Sequence, residues 1–171
     1  MSQSRGVRVL GIDPGLTRLG YAVVEEDAGR IVCLRSGTFT TSPDGQASER
    51  LASLWRDICE VADGSDADSM AVERVFLNAN RMSAVGAIQA SGVALVVAAQ
   101  RGMPVFEYSP MEVKHAVVGT GSASKEQVAF MVSKITGDTA TAAGPDASDA
   151  VAVAIAHLSH DRVRRVIGTR T

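Results

Sequence analysis

The chain has 171 residues, 46% of them hydrophobic and 21% charged, which is typical of a globular protein with one ordinary core. A formal net charge of −2 argues against strong overall attraction to nucleic acid. However, acidic residues dominate before residue 76 and basic residues dominate between 76 and 135, which permits a local positive surface. The N-terminal residues lead directly into a strand-like run, so we expect no signal peptide. Cys33 and Cys59 match no metal or disulfide spacing, which favours a reducing cytoplasm.

Three strand-like segments come first in the chain, and their short links predict an antiparallel meander. They are VRVLGID (7–13), LGYAVVE (19–25) and RIVCLRSGTFTT (30–41). Helical spacing of apolar residues over 47–63 and a short apolar run over 69–73 predict a helix and then a buried strand.

The second half of the chain contains one predicted strand and four predicted helices. An apolar stretch at 82–100 is interrupted by Ser, Gln and Gly, so we expect a buried helix that is apolar on most faces, and no membrane span. The remaining elements are a strand at 103–108 and helices at 110–119, 124–137 and from Pro145 or Asp146 to about His160. The basic segment 161–171 is expected to be a flexible tail.

This order of elements predicts an α/β fold in a single domain spanning 1–171. The sheet would be mixed and five-stranded, with three antiparallel strands followed by parallel β-α-β units and with helices on both faces. In such sheets, sites form at the carboxyl ends of parallel strands. Asp13 closes the first predicted strand and Glu73 closes the fourth.

Two more carboxylates occur in GPDASDAVAVAIAH, where a largely apolar helix begins with two acids. Asp146 and Asp149 are three residues apart and therefore share one helix face, and the small residues beside them allow close approach to the sheet. Four clustered carboxylates repel one another unless a cation joins them, and their hard oxygen atoms suit Mg²⁺ or Mn²⁺. Four acids fit two ions, an arrangement that serves phosphoryl hydrolysis.

Each acid also has a purely structural interpretation. Asp13 in Asp-Pro-Gly is a good turn residue, and Glu73 could be the solvated end of a strand. Asp146 could cap the last helix, with Asp149 placed one turn later to complement the helix dipole.

Four segments carry a resemblance to a known family: GIDPGLTRLGYAVV, AVERVFLNAN, PVFEYSPMEVKHAVVGTGSASKEQV and DASDAVAVAIAH. Together they resemble the RuvC family of crossover-junction endodeoxyribonucleases, nearly end to end over 7–160. The resemblance implies an RNase H-like fold and a homodimer that resolves Holliday junctions during recombination and repair. Mg²⁺ would be the cofactor, with two ions per subunit and Mn²⁺ as a substitute, and RuvA and RuvB would be expected partners. By motif position, Asp13, Glu73, Asp146 and Asp149 would be the catalytic, metal-binding acids.

Three further residues match family positions that contact DNA. Lys114 and Lys125 would approach phosphates, with exposed surface charge as the alternative. Phe76, beside the polar segment LNAN, would press against junction bases, with a core position as the alternative. The resemblance makes 82–100 the dimer-forming helix, whereas His115 and His157 are expected to be structural.

More than one function class remains open at this point. The first motif also resembles the phosphate loop of sugar kinases and actin-like ATPases, although 171 residues leave no room for their second domain. A catalytically inactive junction-binding module and an RNase H acting on RNA–DNA hybrids are two more classes that fit the sequence. The four acids argue against the inactive module, and Phe76 with the apolar helix argues against the RNase H.

Overall fold

A computed structural model of the protein describes residues 5–77, 81–137 and 143–168, and these residues contain a mixed five-stranded sheet. The strand order is β3-β2-β1-β4-β5. β2 pairs antiparallel with β1 and β3, whereas β1 with β4 and β4 with β5 pair in parallel, so the predicted sheet is confirmed. The strands are β1 Val7–Asp13, β2 Arg18–Asp27, β3 Arg30–Thr40, β4 Ser69–Glu73 and β5 Val105–Tyr108.

Five helices cover both faces of the sheet in the described part of the chain. They are α1 Ala47–Ser65, α2 Arg81–Gln100, α3 Pro110–Val118, α4 Lys125–Thr136 and α5 Pro145–Gly168. One core cluster joins the sheet to α1 and α2, and the other joins it to α3, α4 and α5. Because β1 lies in the middle of the sheet, Val9 faces one cluster and Leu10 the other, which explains its continuous apolar run.

Local signals set the bounds of α3 and α4. Ser109 and Ser124 each form a capping box, so both helices begin where their N-terminal backbone N–H groups find side-chain acceptors. Gly119 and Gly137 follow the two helices with positive φ angles, as expected for C-cap glycines. These caps matter for function because α4 starts beside the site described below.

Two glycines let α5 lie directly on β1 and β2. A Cβ atom at Gly11 would lie 2.2 Å from the carbonyl oxygen of Ala150, and one at Gly20 would lie 2.0 Å from the carbonyl oxygen of Asp146. A side chain at either position would therefore push the helix away from the sheet. This close approach brings the acidic start of α5 to the strand ends.

Helix α2 is apolar on most faces, as predicted, but the core covers only part of its surface. By length and composition alone, its segment Ser83–Gln100 is apolar and long enough to cross a membrane. Within the protein, 39% of that segment is buried. Ala90, Ala94 and Val97 pack into the core with the sheet and α1, whereas Val85 and Val96 are exposed. One face of α2 therefore belongs to the core and another is an apolar surface.

The expected end of the last helix near His160 is wrong, because α5 continues to Gly168. The segment predicted as a tail is helical over 161–168, and its last three residues lie outside the described part of the chain. Arg162 donates to Glu26 at 2.5 Å, which ties this extension to the end of β2. The ion pair joins two distant parts of the sequence, so local pattern could not reveal it.

Candidate active site

Asp13 and Glu73 lie at the same edge of the sheet. Ile12 on β1 pairs in parallel with Val72 on β4, and each acid is the next residue and the last of its strand. Parallel strands present their carboxyl ends together, so these two side chains become neighbours. The expectation that Asp13 and Glu73 close neighbouring parallel strands is confirmed.

The start of α5 adds the other two acids to this edge. Gly20, whose missing side chain lets Asp146 approach, is the antiparallel partner of Asp13. Asp149 and Glu73 line a cleft of about 250 Å³, which Lys114 and Lys125 also line. The structure therefore brings together all four acids and both lysines that the sequence singled out.

Burial and mutual repulsion perturb the two strand-end acids. Loss of solvent raises the pKa of Asp13 to about 8, and the negative charges of Glu73, Asp149 and Asp146 add to that effect. Loss of solvent, followed by repulsion from Asp149, raises the pKa of Glu73 to about 7. Both shifts mean that the surroundings disfavour the ionised forms of these two acids.

The two acids of α5 have basic partners instead. Arg18 donates through Nε to Asp146 at 2.7 Å, and its Nη2 lies 2.6 Å from the same carboxylate oxygen as part of the ion pair. Lys125 donates to Asp149 at 3.2 Å, and this contact is the main reason why the pKa of Lys125 is raised. Asp146 is not the N-cap residue, because the helix begins one residue earlier, so the capping interpretation does not describe it.

The donor set has the chemistry of a divalent-metal site, although its side chains are arranged for internal ion pairs. Across the described ranges, no three His, Cys, Asp or Glu side chains are already gathered around a common point. Two of the acids, Asp146 and Asp149, instead form ion pairs with Arg18 and Lys125. Carboxylate oxygens with raised pKa values are nevertheless groups that a hard dication would stabilise, so the residues fit Mg²⁺ or Mn²⁺.

Phe76 lies three residues beyond Glu73 and is 48% exposed, so the alternative of a core position is wrong. Leu77 beside it is also exposed. The rest of the LNAN segment, residues 78–80, lies outside the described residues. Next to the acidic edge, an exposed aromatic ring is available for stacking.

His157 lies inside the protein, far along α5 from the acids. Its Nδ1 and Nε2 form hydrogen bonds with the hydroxyl groups of Tyr108 at 2.8 Å and Ser69 at 3.0 Å. Its ring also stacks on Phe106 at 4.4 Å. These contacts agree with the structural interpretation of His157, whereas His115 is exposed on α3.

Sequence reasoning missed Arg18, which the structure places directly on Asp146. A signal was present, because a hairpin that pairs Asp13 with Gly20 also brings the start of β2 to the acidic edge. The glycines that admit α5 were likewise visible in the sequence. Their role became clear only with the helix packed on the sheet.

Comparison with known proteins gives one consistent family. The family model described as crossover junction endodeoxyribonuclease RuvC matches residues 9–157. The RuvC of Frankia casuarinae is 44% identical over 160 residues, which cover 89% of each chain. That of Syntrophomonas wolfei is 41% identical over 157 residues, covering 92% of this chain and 91% of the relative.

Solved structures agree with the sequence comparisons. RuvC of T. thermophilus, in complex with a Holliday junction substrate, superimposes with a TM-score of 0.85 at 36% identity, covering 92% of this chain and 96% of that one. The yeast mitochondrial Holliday junction resolvase has a TM-score of 0.64 at 14% identity and shares the fold. With a family match over most of its length, relatives above 40% identity and this structural agreement, the chain belongs to the RuvC family of crossover junction endodeoxyribonucleases.

Proposed function

We propose that this protein resolves Holliday junctions by metal-dependent hydrolysis of phosphodiesters in opposite strands, during recombination and DNA repair. Residues 1–171 act as one RNase H-like nuclease domain. The observation that carries the proposal is the acidic edge in a chain of the RuvC family: four carboxylates lie near one another, and two of them line a cleft together with Lys114 and Lys125.

The metal would be held by Asp13, Glu73, Asp146 and Asp149. Two Mg²⁺ ions per subunit, which Mn²⁺ can replace, would activate water and stabilise the leaving oxygen. The perturbed strand-end acids support this assignment, because burial and then repulsion from neighbouring carboxylates raise their pKa values, and a bound dication would stabilise their ionised forms. A phosphodiester approaching the same carboxylates without added positive charge would be repelled.

Three side chains are proposed to hold the DNA. Lys125 carries positive charge over the cleft and stands at the first turn of α4, where backbone N–H groups also favour a phosphate. Lys114 lines the same cleft. Phe76 would stack on a base at the branch point, where bases are easier to unstack than in linear duplex.

A cleavage assay tests the function directly. A synthetic four-way junction, a linear duplex and an RNA–DNA hybrid are each incubated with the protein in Mg²⁺, in Mn²⁺ and in EDTA. We expect metal-dependent, symmetric nicks in the junction only, with 5′-phosphate ends. Cleavage of the hybrid instead would identify an RNase H, and binding without cleavage in either metal would identify an inactive junction-binding module.

The protein is proposed to act as a homodimer, because two-fold symmetry matches a four-way junction. The exposed apolar side chains of α2, among them Val85, Ile88 and Val96, support this surface as the interface. Light scattering should show a dimer for the parental protein and a monomer for Ile88→Glu. Val163→Glu changes another exposed apolar residue on α5 and should remain dimeric.

The remaining proposals concern the cellular setting. Action on chromosomal junctions places the protein in the cytoplasm, associated with the nucleoid. RuvA and RuvB, the branch-migration proteins, are proposed partners that deliver the junction. Purified RuvA and RuvB should raise the rate of resolution, and a rate unaffected by them would remove this part of the proposal.

A further inference from the structure

A second cleft, of about 300 Å³, opens beside the acidic edge. Arg18, which contacts Asp146, forms part of its wall. Its described lining contains two arginines and two hydroxyl side chains but no carboxylate: Gly15, Leu16, Thr17, Arg18, Arg50, Ser83 and Gly86. Because Arg18 is paired with Asp146, the uncompensated positive charge of this lining comes from Arg50, whereas the other cleft holds Glu73 and Asp149.

Arg50 is held in place in this cleft by hydroxyl groups. Its Nη2 donates to Thr17 Oγ1 at 2.7 Å and its Nε donates to Thr41 Oγ1 at 2.9 Å. The Thr41 hydroxyl in turn donates to the carbonyl oxygen of Leu16 at 2.6 Å. Among the described residues, no carboxylate forms an ion pair with Arg50. Its position is thus fixed while its positive charge is available.

Arg18 is anchored differently, by an ion pair with a carboxylate. Its Nε and Nη2 contact Asp146, and its side chain is 55% exposed. In the described residues, the hydrogen bonds and ion pairs of Arg18 and Arg50 use only the Nε and Nη2 atoms of each guanidinium group. The Nη1 groups remain for a ligand, and a planar guanidinium is well suited to phosphate oxygens.

We propose that this cleft binds a backbone phosphate of the DNA strand, next to the phosphate that is cut. Arg50 is the fixed contact, and Arg18 links that phosphate to Asp146 of the acidic edge. This inference rests on the proposed function and deepens it, because it assigns a positioning site for the strand that enters the carboxylates. Anchoring a neighbouring phosphate would set the depth at which the scissile bond lies.

Salt dependence of junction binding tests the subsite without relying on cleavage. Binding is measured in Ca²⁺, with a fluorescent four-way junction at several salt concentrations. Arg50→Gln should weaken binding about tenfold at moderate salt and should reduce the slope of log K against log salt by about 0.9, the value for one phosphate contact. Arg18→Gln should reduce the slope by a similar amount.

Two matched variants separate a phosphate contact from other effects. Arg30→Gln removes an exposed arginine at the turn between β2 and β3, at the opposite edge of the sheet, and should leave the slope unchanged. Arg50→Lys keeps the charge but not the planar fork, so it should retain most of the slope. Thermal melting of each variant confirms that it is folded.

The outcomes distinguish this inference from the proposed function. If the parental protein binds the junction and Arg50→Gln has the parental slope, the subsite is wrong and the function stands. If Arg50→Lys loses as much as Arg50→Gln, Arg50 supports the loop structure and does not contact phosphate. If the parental protein binds no junction at all, both proposals fail.

Discussion

The sheet has one edge at the carboxyl ends of its parallel strands and an opposite edge at their amino ends, and the two differ in how their acidic side chains are compensated. At the carboxyl ends of β1 and β4, Asp13 and Glu73 are close to other acids, and their pKa values are raised. At the other edge, Asp68 accepts two hydrogen bonds from the Arg5 guanidinium, at 2.8 and 3.1 Å, and one from the backbone N–H of Arg8 at 2.8 Å. One edge keeps charge in excess, whereas the other neutralises it.

The buried histidine extends the same contrast. His157 is 4% exposed and both of its ring nitrogens have hydroxyl partners, on Ser69 and Tyr108. A buried polar group with all its partners contributes to stability, whereas clustered like charges cost stability and remain useful only if a ligand joins them. The contrast therefore separates a structural edge from a functional edge, and each variant below tests one side of it.

The largest expected effect is on catalysis at the acidic edge. Asp146→Asn removes a proposed metal ligand but little volume, so junction binding should persist while the cleavage rate falls by about 10²-fold or more. The matched change Asp68→Asn at the opposite edge should leave cleavage within about twofold of the parental rate. Cleavage by Asp146→Asn at the parental rate in Mg²⁺ would remove this residue from the metal site.

Next in size is the loss of stability at the opposite edge. His157→Ala leaves a cavity and two hydroxyl groups without their partner, so the free energy of unfolding should fall by about 3 kcal/mol. Urea denaturation measures this change. His115→Ala, at an exposed site, should cost less than about 0.5 kcal/mol. An equally small loss for His157→Ala would show that its network does not stabilise the fold.

A smaller effect should appear in the pH dependence of stability. Because the folded protein raises the pKa of Asp13 from 3.8 to about 8, it binds more protons than the unfolded chain between these values. Stability attributable to Asp13 therefore falls as pH rises through this window. Metal-free Asp13→Asn should melt about 5 °C above the parental protein at pH 9, with little difference near pH 4.

The control for this prediction uses the neutralised edge. Asp68→Asn should lower the melting temperature at pH 9, because an amide lacks the negative charge and the second acceptor oxygen with which Asp68 holds the Arg5 guanidinium. Added Mg²⁺ should stabilise the parental protein more than Asp13→Asn. If Asp13→Asn melted below the parental protein at pH 9, the excess of negative charge at this edge would be refuted.

The smallest expected effect concerns two phenylalanines, one beside the acidic edge and one beside His157. Phe76→Ala should reduce junction cleavage about tenfold while leaving stability and binding to linear duplex nearly unchanged, because an exposed ring contributes stacking and little packing. Phe106→Ala removes the ring stacked on His157 and should mainly lower stability. Equal loss of affinity for junction and duplex in Phe76→Ala would contradict a role at the branch point.

Local pattern was sufficient for most of the fold. Short links between strand-like runs predicted the meander, and Gly119 and Gly137 predicted the ends of two helices. The four acids could also be predicted to meet, since Asp13 and Glu73 end parallel strands and Asp146 and Asp149 share a helix face. Each of these inferences needs only contacts that repeat regularly along a strand or helix.

The rest depended on contacts between distant segments. The partner of Asp146 is Arg18, 128 residues away, and the partner of Arg162 is Glu26, 136 residues away. The first contact gives Asp146 a cationic partner at the acidic edge. The second accompanies a helix that continues beyond His160. Which face of α2 the core covers also depended on tertiary packing, because its uniformly apolar sequence does not distinguish one face from another.

By itself, then, the sequence determined the order of strands and helices and which acids gather at one sheet edge, because hydrogen-bonding geometry repeats with a period that residue patterns display. Tertiary structure alone decided which cations meet those acids, how closely α5 approaches Gly11 and Gly20, and where a separate cleft lined by two arginines opens. Those features arise from side chains packed across the whole chain, and no local period encodes such contacts.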